Sequence, residues 1–417
     1  MRISPALPAL LLLAGLPVLA EEPPAFDPAG LAKMDRAVTT AIKGHKLPGG
    51  VLWLEREGSV HHKAFGKRAT YPKAETMTGD TIFDAASLTK VVATAPAVMM
   101  LIEERKVSLD DRVQKFIPEL TGDPNKPLVT VRHLLTHTSG LKAGIRRGYE
   151  WSGFENGMAL ACGEQSVGRA GKTYLYSDIN FILLGEIVRR VAKQPLDQFT
   201  AARVFTPLGM AHTGFRPSPD LVGRIAPTTR MPDKSVLRGT VHDPTARAMG
   251  GVAGHAGLFT TAEDLARFAR MLLNGGELEG VRILRRDSVA LMTSVQTPPF
   301  ITARRGLGFD IDSPYAGPRG KIFPLGSFGH TGWTGTSLWI DPFSRTTVIF
   351  LSNRNHPSGG RVVPLRRELG NLAAAAVRDF NFKDVAGTLP ELTDAQLLQS
   401  NRELRAPDPT VKNGIDV

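Results

Sequence analysis

Three short segments carry residue types able to do covalent chemistry. The first, Ser87-Leu88-Thr89-Lys90, opens a long apolar run. If that run is helical, residues i and i+3 share a face and the lysine amine lies beside the serine hydroxyl. A free serine is a weak nucleophile and needs an adjacent base. A lysine, with an ordinary pKa of about 10.4, serves as that base only where burial or nearby cations depress it. A helix start also offers backbone N–H groups and a positive dipole end to a forming oxyanion. The plainer alternative is that Ser87 caps the helix, and these four residues alone leave both readings open. A second Ser-x-x-Lys, Ser139-Gly140-Leu141-Lys142, follows His137-Thr138 in a glycine loop with no apolar helix behind it. It is set aside as a nucleophile.

The second segment is Tyr174-Leu175-Tyr176-Ser177-Asp178-Ile179-Asn180, directly before the helical stretch Phe181–Val191. A tyrosine flanked by Ser, Asp and Asn can relay a proton near a Ser/Lys pair; alone it equally fits a capped turn with a packing tyrosine. The third is Gly329-His330-Thr331-Gly332-Trp333-Thr334-Gly335, ahead of a late strand. Glycines there let a substrate approach the backbone and take a main-chain hydrogen bond, or simply mark a bulge.

The elements that must position these segments follow from periodicity. Leu31–Ile42 has the spacing of an amphipathic helix, and Gly50 to Ala64 an antiparallel hairpin turning at Glu57-Gly58. From Ser87 to Glu104 the residues are apolar almost all round, which marks a buried helix. Pro96 should kink it or remove one of its bonds. Further helices are expected at Asp110–Phe116, Val131–Leu135, Phe181–Val191, Asp197–Val204, Ala262–Leu273 and Asp287–Met292. Strands return at Thr336–Ile340 and Thr346–Leu351 around Asp341-Pro342, and a last helix spans about Arg361–Arg378. Strands at both ends of the chain with helices between imply an α/β fold. One sheet is assembled from the termini (about 28–86 and 305–378) and carries a helical lobe, about 87–304. Residues 379–417 read as a tail with one short helix, Asp394–Leu404.

Composition narrows the function. The chain has 417 residues, 42% hydrophobic and 22% charged, which excludes long disorder and fibrous repeats. Its net charge of +11 raises the question of nucleic acid. However, Met1-Arg2, an apolar run from Leu7 to Leu19 and Ala20 before Glu21-Glu22 describe an export signal over 1–20, cut after Ala20. An exported chain with scattered rather than massed basic residues is expected to meet an anionic envelope, not nucleic acid, and to be periplasmic or secreted. The lone cysteine, Cys162, excludes an intramolecular disulfide and a Cys-built metal site. His133 and His137 stand four apart but lack the glutamate of a His-Glu-x-x-His helix, so no metal or other cofactor is expected. His242-Asp243 and His255 could complete a Ser-His-Asp triad, yet no Gly-x-Ser-x-Gly elbow occurs.

Taken together, the three segments resemble the serine β-lactamase and penicillin-binding-protein superfamily, in its class C β-lactamase-related, esterase-like branch. The family's elements stand here in order as Ser87-x-x-Lys90, Tyr176-Ser177-Asp178 and His330-Thr331-Gly332, with 89 and 154 residues between their first members. The stretches from His133 to Leu141 and from Gly250 to Phe259 are similar too, and the likeness spans about 28–378. The resemblance implies a β-lactamase/transpeptidase-like fold over 21–378, an antiparallel sheet flanked by helices with a large helical lobe inserted. It implies acylation of Ser87, with Lys90 and Tyr176 sharing the proton and the backbone N–H groups of Ser87 and Trp333 forming the oxyanion hole. Asp178, His330, Thr331 and Gly332 would contact substrate.

Two departures shape the expected substrate. Asp178 replaces the usual Asn and should keep Lys90 protonated, shifting the base role toward Tyr176. His330 replaces a lysine that anchors a substrate carboxylate; if it binds substrate, the pH–rate profile should titrate near neutrality. Both favour an esterase, amidase or cell-wall peptidase of the D-Ala-D-Ala carboxypeptidase kind over a β-lactamase. The remaining alternative is a catalytically dead peptidoglycan-binding relative. Finally, the end of the chain from Val411 to Val417 resembles the start of exo-acting N-acetylmuramidases, which would make such an enzyme a functional partner in peptidoglycan turnover.

Overall fold

The computed structural model describes residues 25–146 and 150–386. The expected export signal, the helix Asp394–Leu404 and the segment Val411–Val417 lie outside the described residues. Eight strands form one antiparallel sheet. Their order in space is Glu75–Thr76, Ser59–Ala69, Gly49–Arg56, Thr346–Ser352, Ser337–Asp341, Phe328–Thr331, Asp310–Asp312 and Arg304–Arg305. The two ends of the chain meet at its centre, where Gly50 pairs with Ser352 and Arg56 with Thr346.

Every residue of Gly49–Arg56 is buried because both faces of the sheet are covered. Alternate side chains divide between two cores. Leu52, Leu54, Val348 and Phe350 pack with Met34 and Leu369 of the helices Pro28–Lys43 and Val363–Ala376. Val51, Trp53, Ile349 and Leu351 face the larger core with Val91, Leu265 and Phe268. The helix Ala262–Leu273, expected within the helical lobe, therefore lies against the sheet. Leu265, Phe268, Ala269 and Leu272 recur at helical spacing and give it one apolar face, all of it buried. The packed domain also runs past the expected limit of 378, because Phe382 is buried edge-to-face against Phe323, their ring centroids 5.5 Å apart.

The buried helix of the sequence is composite. Residues Ala86–Leu88 form a 3-10 turn, Lys90–Thr94 a wider π turn and Ala95–Glu103 an α-helix. This accounts for Pro96: in the π turn the Ala95 N–H reaches back to the Lys90 carbonyl, and the proline falls in the first turn of the α segment, where no N–H is required. Two other expectations change. Asp110–Phe116 shortens to a turn at Val113–Lys115, because the Asp111 carboxylate takes the Ser108 N–H and bends the chain. A helix at Phe154–Gly163 was not anticipated, since Asn156-Gly157 within it reads as a turn.

Candidate active site

Ser87 sits at the head of the composite helix, and the π turn sends Lys90 inward, fully buried. Lys90 Nζ donates to Ser87 Oγ at 3.1 Å, to Asp178 Oδ1 at 2.7 Å and to the His255 carbonyl at 3.1 Å. All three donor positions of the ammonium are thereby filled. Burial works to depress its pKa, but Asp178 and then Tyr176 outweigh this and hold the ammonium above its ordinary range.

The Tyr176 segment is held extended from both sides. The Ser177 N–H donates to His137 Nδ1 at 3.1 Å, and the Asp178 N–H to the Ala143 carbonyl at 2.7 Å. Asp178 then begins the helix that runs to Ala192, three residues earlier than periodicity indicates, with its carboxylate in the favourable first turn. The Tyr176 ring stacks on His137 at 4.4 Å and contacts Tyr315 at 5.1 Å, while Lys90 Nζ lies 5.0 Å from its centroid. Tyr315 carried no sequence signal; it comes from a loop that only the fold brings here.

The third segment is tied directly to the first. The Gly332 N–H donates to the Thr336 carbonyl at 2.7 Å, closing a turn around Trp333. Thr334 Oγ1 donates to the Asp84 carbonyl at 2.7 Å and Thr336 Oγ1 to the Ala85 carbonyl at 3.0 Å. The backbones bearing the Ser87 and Trp333 N–H groups are thus bonded to one another. Gly332 is required by close approach, since a Cβ there would stand 2.1 Å from Thr336 Oγ1 and 2.5 Å from the Ala85 carbonyl. Behind the turn, Arg366 Nη2 binds the Gly332 and Thr336 carbonyls, both at 2.6 Å.

His330 differs from its expected place. It is 3% exposed, and its Nδ1 faces the Thr331 carbonyl at 2.8 Å, so Nδ1 carries the proton. Burial first, then Arg305 and Lys90, push its pKa well below the ordinary imidazole value. It is a neutral, enclosed ring and not a titrating anchor near pH 7. Thr331 remains partly exposed on the same strand, and Trp333 is open to solvent, stacked over the Arg354 guanidinium at 4.6 Å.

The other candidates resolve structurally. Ser139 Oγ donates to Asn180 Oδ1 at 2.6 Å, and Lys142 pairs with Glu164 at 2.7 Å. His133 Nδ1 accepts the Thr130 N–H, and its helix ends at Leu135, so His137 is not on the same helical face. Sequence reasoning set aside His255 and Asp243 along with the hydrolase triad, but they form a pair at 2.9 Å beside Lys90. Although burial opposes it, His255 holds Asp243 below the usual carboxylate range. Asp178, Asp243 and His255 place potential metal-ligating atoms within 4.8 Å of one another. Each has a partner already, Lys90 for Asp178 and each other for the remaining two.

A large antiparallel sheet between helical layers, with a serine and a lysine paired at the head of the central buried helix, defines the β-lactamase/transpeptidase class of serine hydrolases. Residues 34–371 match the family described as Beta-lactamase, and the chain belongs to it. An Escherichia coli K12 protein named "Putative D-alanyl-D-alanine carboxypeptidase" is 31% identical over 385 residues, covering 82% of this chain and 86% of that protein. Among solved structures, a penicillin-binding-protein homologue from Caulobacter crescentus superposes with a TM-score of 0.68 at 21% identity, covering 84% of this chain and 98% of its own. EstCE1, a hydrolase with promiscuous acyltransferase activity, gives 0.66 at 23%, covering 83% and 99%. The chain is similar to each of these, and the two structures show the shared fold.

Proposed function

We propose that this chain is an exported, periplasmic or secreted hydrolase that forms an acyl-enzyme on Ser87. Its substrates are cell-wall peptides or esters, in the manner of a D-Ala-D-Ala carboxypeptidase or esterase. The observation that carries the reading is the 3.1 Å contact between Lys90 Nζ and Ser87 Oγ inside a buried site. In the forward step Ser87 Oγ bonds to the carbonyl carbon and its proton passes to the Lys90–Tyr176 couple. That proton then leaves with the departing amine or alcohol, and water completes the cycle by hydrolysing the acyl-enzyme. The N–H groups of Ser87 and Trp333 hold the oxyanion. Asp178 keeps Lys90 charged, so Tyr176 carries more of the proton transfer.

The curated relative's name supports a peptidoglycan peptide as substrate. An enclosed, neutral His330 in place of a surface cation disfavours penicillin-like anions, which sets β-lactamase activity second. The test is a panel of nitrophenyl esters, D-Ala-D-Ala peptides and nitrocefin with wild type and Ser87→Ala, together with fluorophosphonate labelling. Ser87-dependent labelling with ester or peptide turnover is expected. No labelling and no turnover would leave only a non-catalytic binding role.

A further inference from the structure

The residue before the nucleophile and the carboxylate that holds it form a second layer of this site. Ala86 has φ +48°, a left-handed conformation that disfavours every residue but glycine, and Ser87 follows directly. Asp84 supports that turn. Its Oδ1 accepts the Ala86 N–H at 2.8 Å, its Oδ2 accepts the His242 N–H at 2.6 Å, and its carbonyl takes the Thr334 hydroxyl at 2.7 Å. The side chain is buried, and among the described residues it bonds to no lysine or arginine. An ionised carboxylate is here satisfied by two backbone donors that approach different oxygens. An amide cannot replace it, because its NH2 would meet one of the two donors, and a carboxylic acid leaves one of them only a hydroxyl oxygen, a poorer acceptor.

We propose that Asp84 is a positioning residue of the acylation site. Its ionised carboxylate locks together the turn that presents Ser87, the segment that leads into Asp243, and the turn that carries Trp333. This rests on Ser87 as the nucleophile. Protonation weakens one of the two backbone bonds and loosens either the Ser87 turn or the His242–Asp243 segment. Burial pushes the Asp84 carboxyl up to about 6, against its two backbone bonds; Asp243 adds to the rise and Arg247 opposes it. Those two side chains, with His242 between the segment's donors, are the charged and titratable groups facing it from that side. The neighbouring strand Leu258–Thr260 and the turn Gly332–Thr336 present only neutral groups.

The test is the pH dependence of kcat and KM for a neutral nitrophenyl ester, on wild type and Asp84→Asn. In wild type kcat shows, beneath the ascending limb of the Lys90–Tyr176 couple, a further loss through an ionisation near pH 6 while KM stays flat. Asp84→Asn is a permanent mimic of the protonated state. Its kcat at pH 8 is lowered about 10- to 100-fold, the effect of one buried donor left unpaired, and the additional ionisation near pH 6 is gone, leaving only the limb of the couple. An additional ionisation near pH 6 that persists in Asp84→Asn belongs to another group and overturns the proposal. So does a wild type that labels at Ser87 yet shows no additional ionisation near pH 6, a result that needs no variant to fold. Absence of Ser87-dependent labelling instead overturns the nucleophile, and Asp84's role with it.

Discussion

Asp178 makes the charge balance of the site open to measurement. Its carboxylate lies 2.7 Å from Lys90 Nζ, the lysine fully buried and the Asp178 side chain 35% exposed. Two unit charges about 4 Å apart interact by about 4 kcal/mol at an effective dielectric of 20, and by about 1 kcal/mol in water. Partial exposure of Asp178 places the pair between these limits, at roughly 1.5–3 kcal/mol, or about 1–2 pKa units. Asp178→Asn keeps an oxygen for Lys90 and removes the charge. Loss of an anion destabilises the ammonium and stabilises a neighbouring phenolate. The ascending limb of the kcat/KM profile therefore moves to lower pH by about 1–2 units, whichever of Lys90 and Tyr176 is the acceptor. The assay is hydrolysis of a neutral nitrophenyl ester from pH 6 to 10, with intact folding checked by near-ultraviolet circular dichroism. A limb that stays in place, or moves upward, refutes the view that Asp178 sets the protonation of the couple.

Three further outcomes follow from the same geometry. Gly332→Ala places a Cβ 2.1 Å from Thr336 Oγ1 and displaces the Trp333 turn, so kcat drops about 100-fold with folding retained; near-normal kcat would detach that turn from oxyanion binding. His330→Gln leaves the kcat/KM profile between pH 6 and 8 unchanged, because burial, Arg305 and Lys90 keep the imidazole neutral there; a limb near 6.5 lost in the variant would contradict this. Ala86→Gly relieves a left-handed alanine and, after glycine's greater chain entropy is subtracted, stabilises the fold by about 0.5 kcal/mol; urea unfolding midpoints measure it, and destabilisation would show the turn to be unstrained.

What could be read in advance depended on how local the signal was. Ser87 and Lys90 are three apart on one helical turn, and the strand and hairpin residues alternate at a period of two, so their elements and pairing were legible. The composite helix was legible as buried but not as a π turn, because apolar residues on every side carry no phase. Phe154–Gly163 was hidden by an Asn-Gly pair that tertiary contacts with Met249 and Trp151 overrule. The role of Asp84 was invisible for a different reason. Its partners at 86, 242 and 334 are joined only by the fold, and a lone aspartate before a Ser-x-x-Lys says nothing of burial. His330 shows the same limit: its type was plain, but whether it faces solvent or the interior is decided by the strand Phe328–Thr331 and by Arg305 behind it.

The surroundings of Tyr176 tie these observations into one electrostatic scheme. Lys90 Nζ and the Arg305 guanidinium lie 5.0 and 6.0 Å from its ring centroid, both fully buried. Two buried cations make a third prohibitively costly, and His137 and His330, with centroids 4.4 and 6.0 Å from that of the ring, are both driven well below the ordinary imidazole pKa, by burial first and then by Arg305. The histidines therefore shape and hydrogen-bond without adding charge. His137 receives the Ser177 N–H, and His330 donates to the Thr331 carbonyl. The positive potential that remains lies at the Tyr176 ring, where the proposed acylation would place negative charge on the tyrosine oxygen. Asp178 and Asp310 then moderate it, the first at Lys90 and the second 3.3 Å from Arg305. A site arranged this way would, under the proposed function, meet developing charge with Lys90 and Arg305 and not with a surface cation. What it needs is a rigid frame, and the bonds from Asp84, Thr334, Thr336 and Arg366 to the turns beside Ser87 and Trp333 supply one.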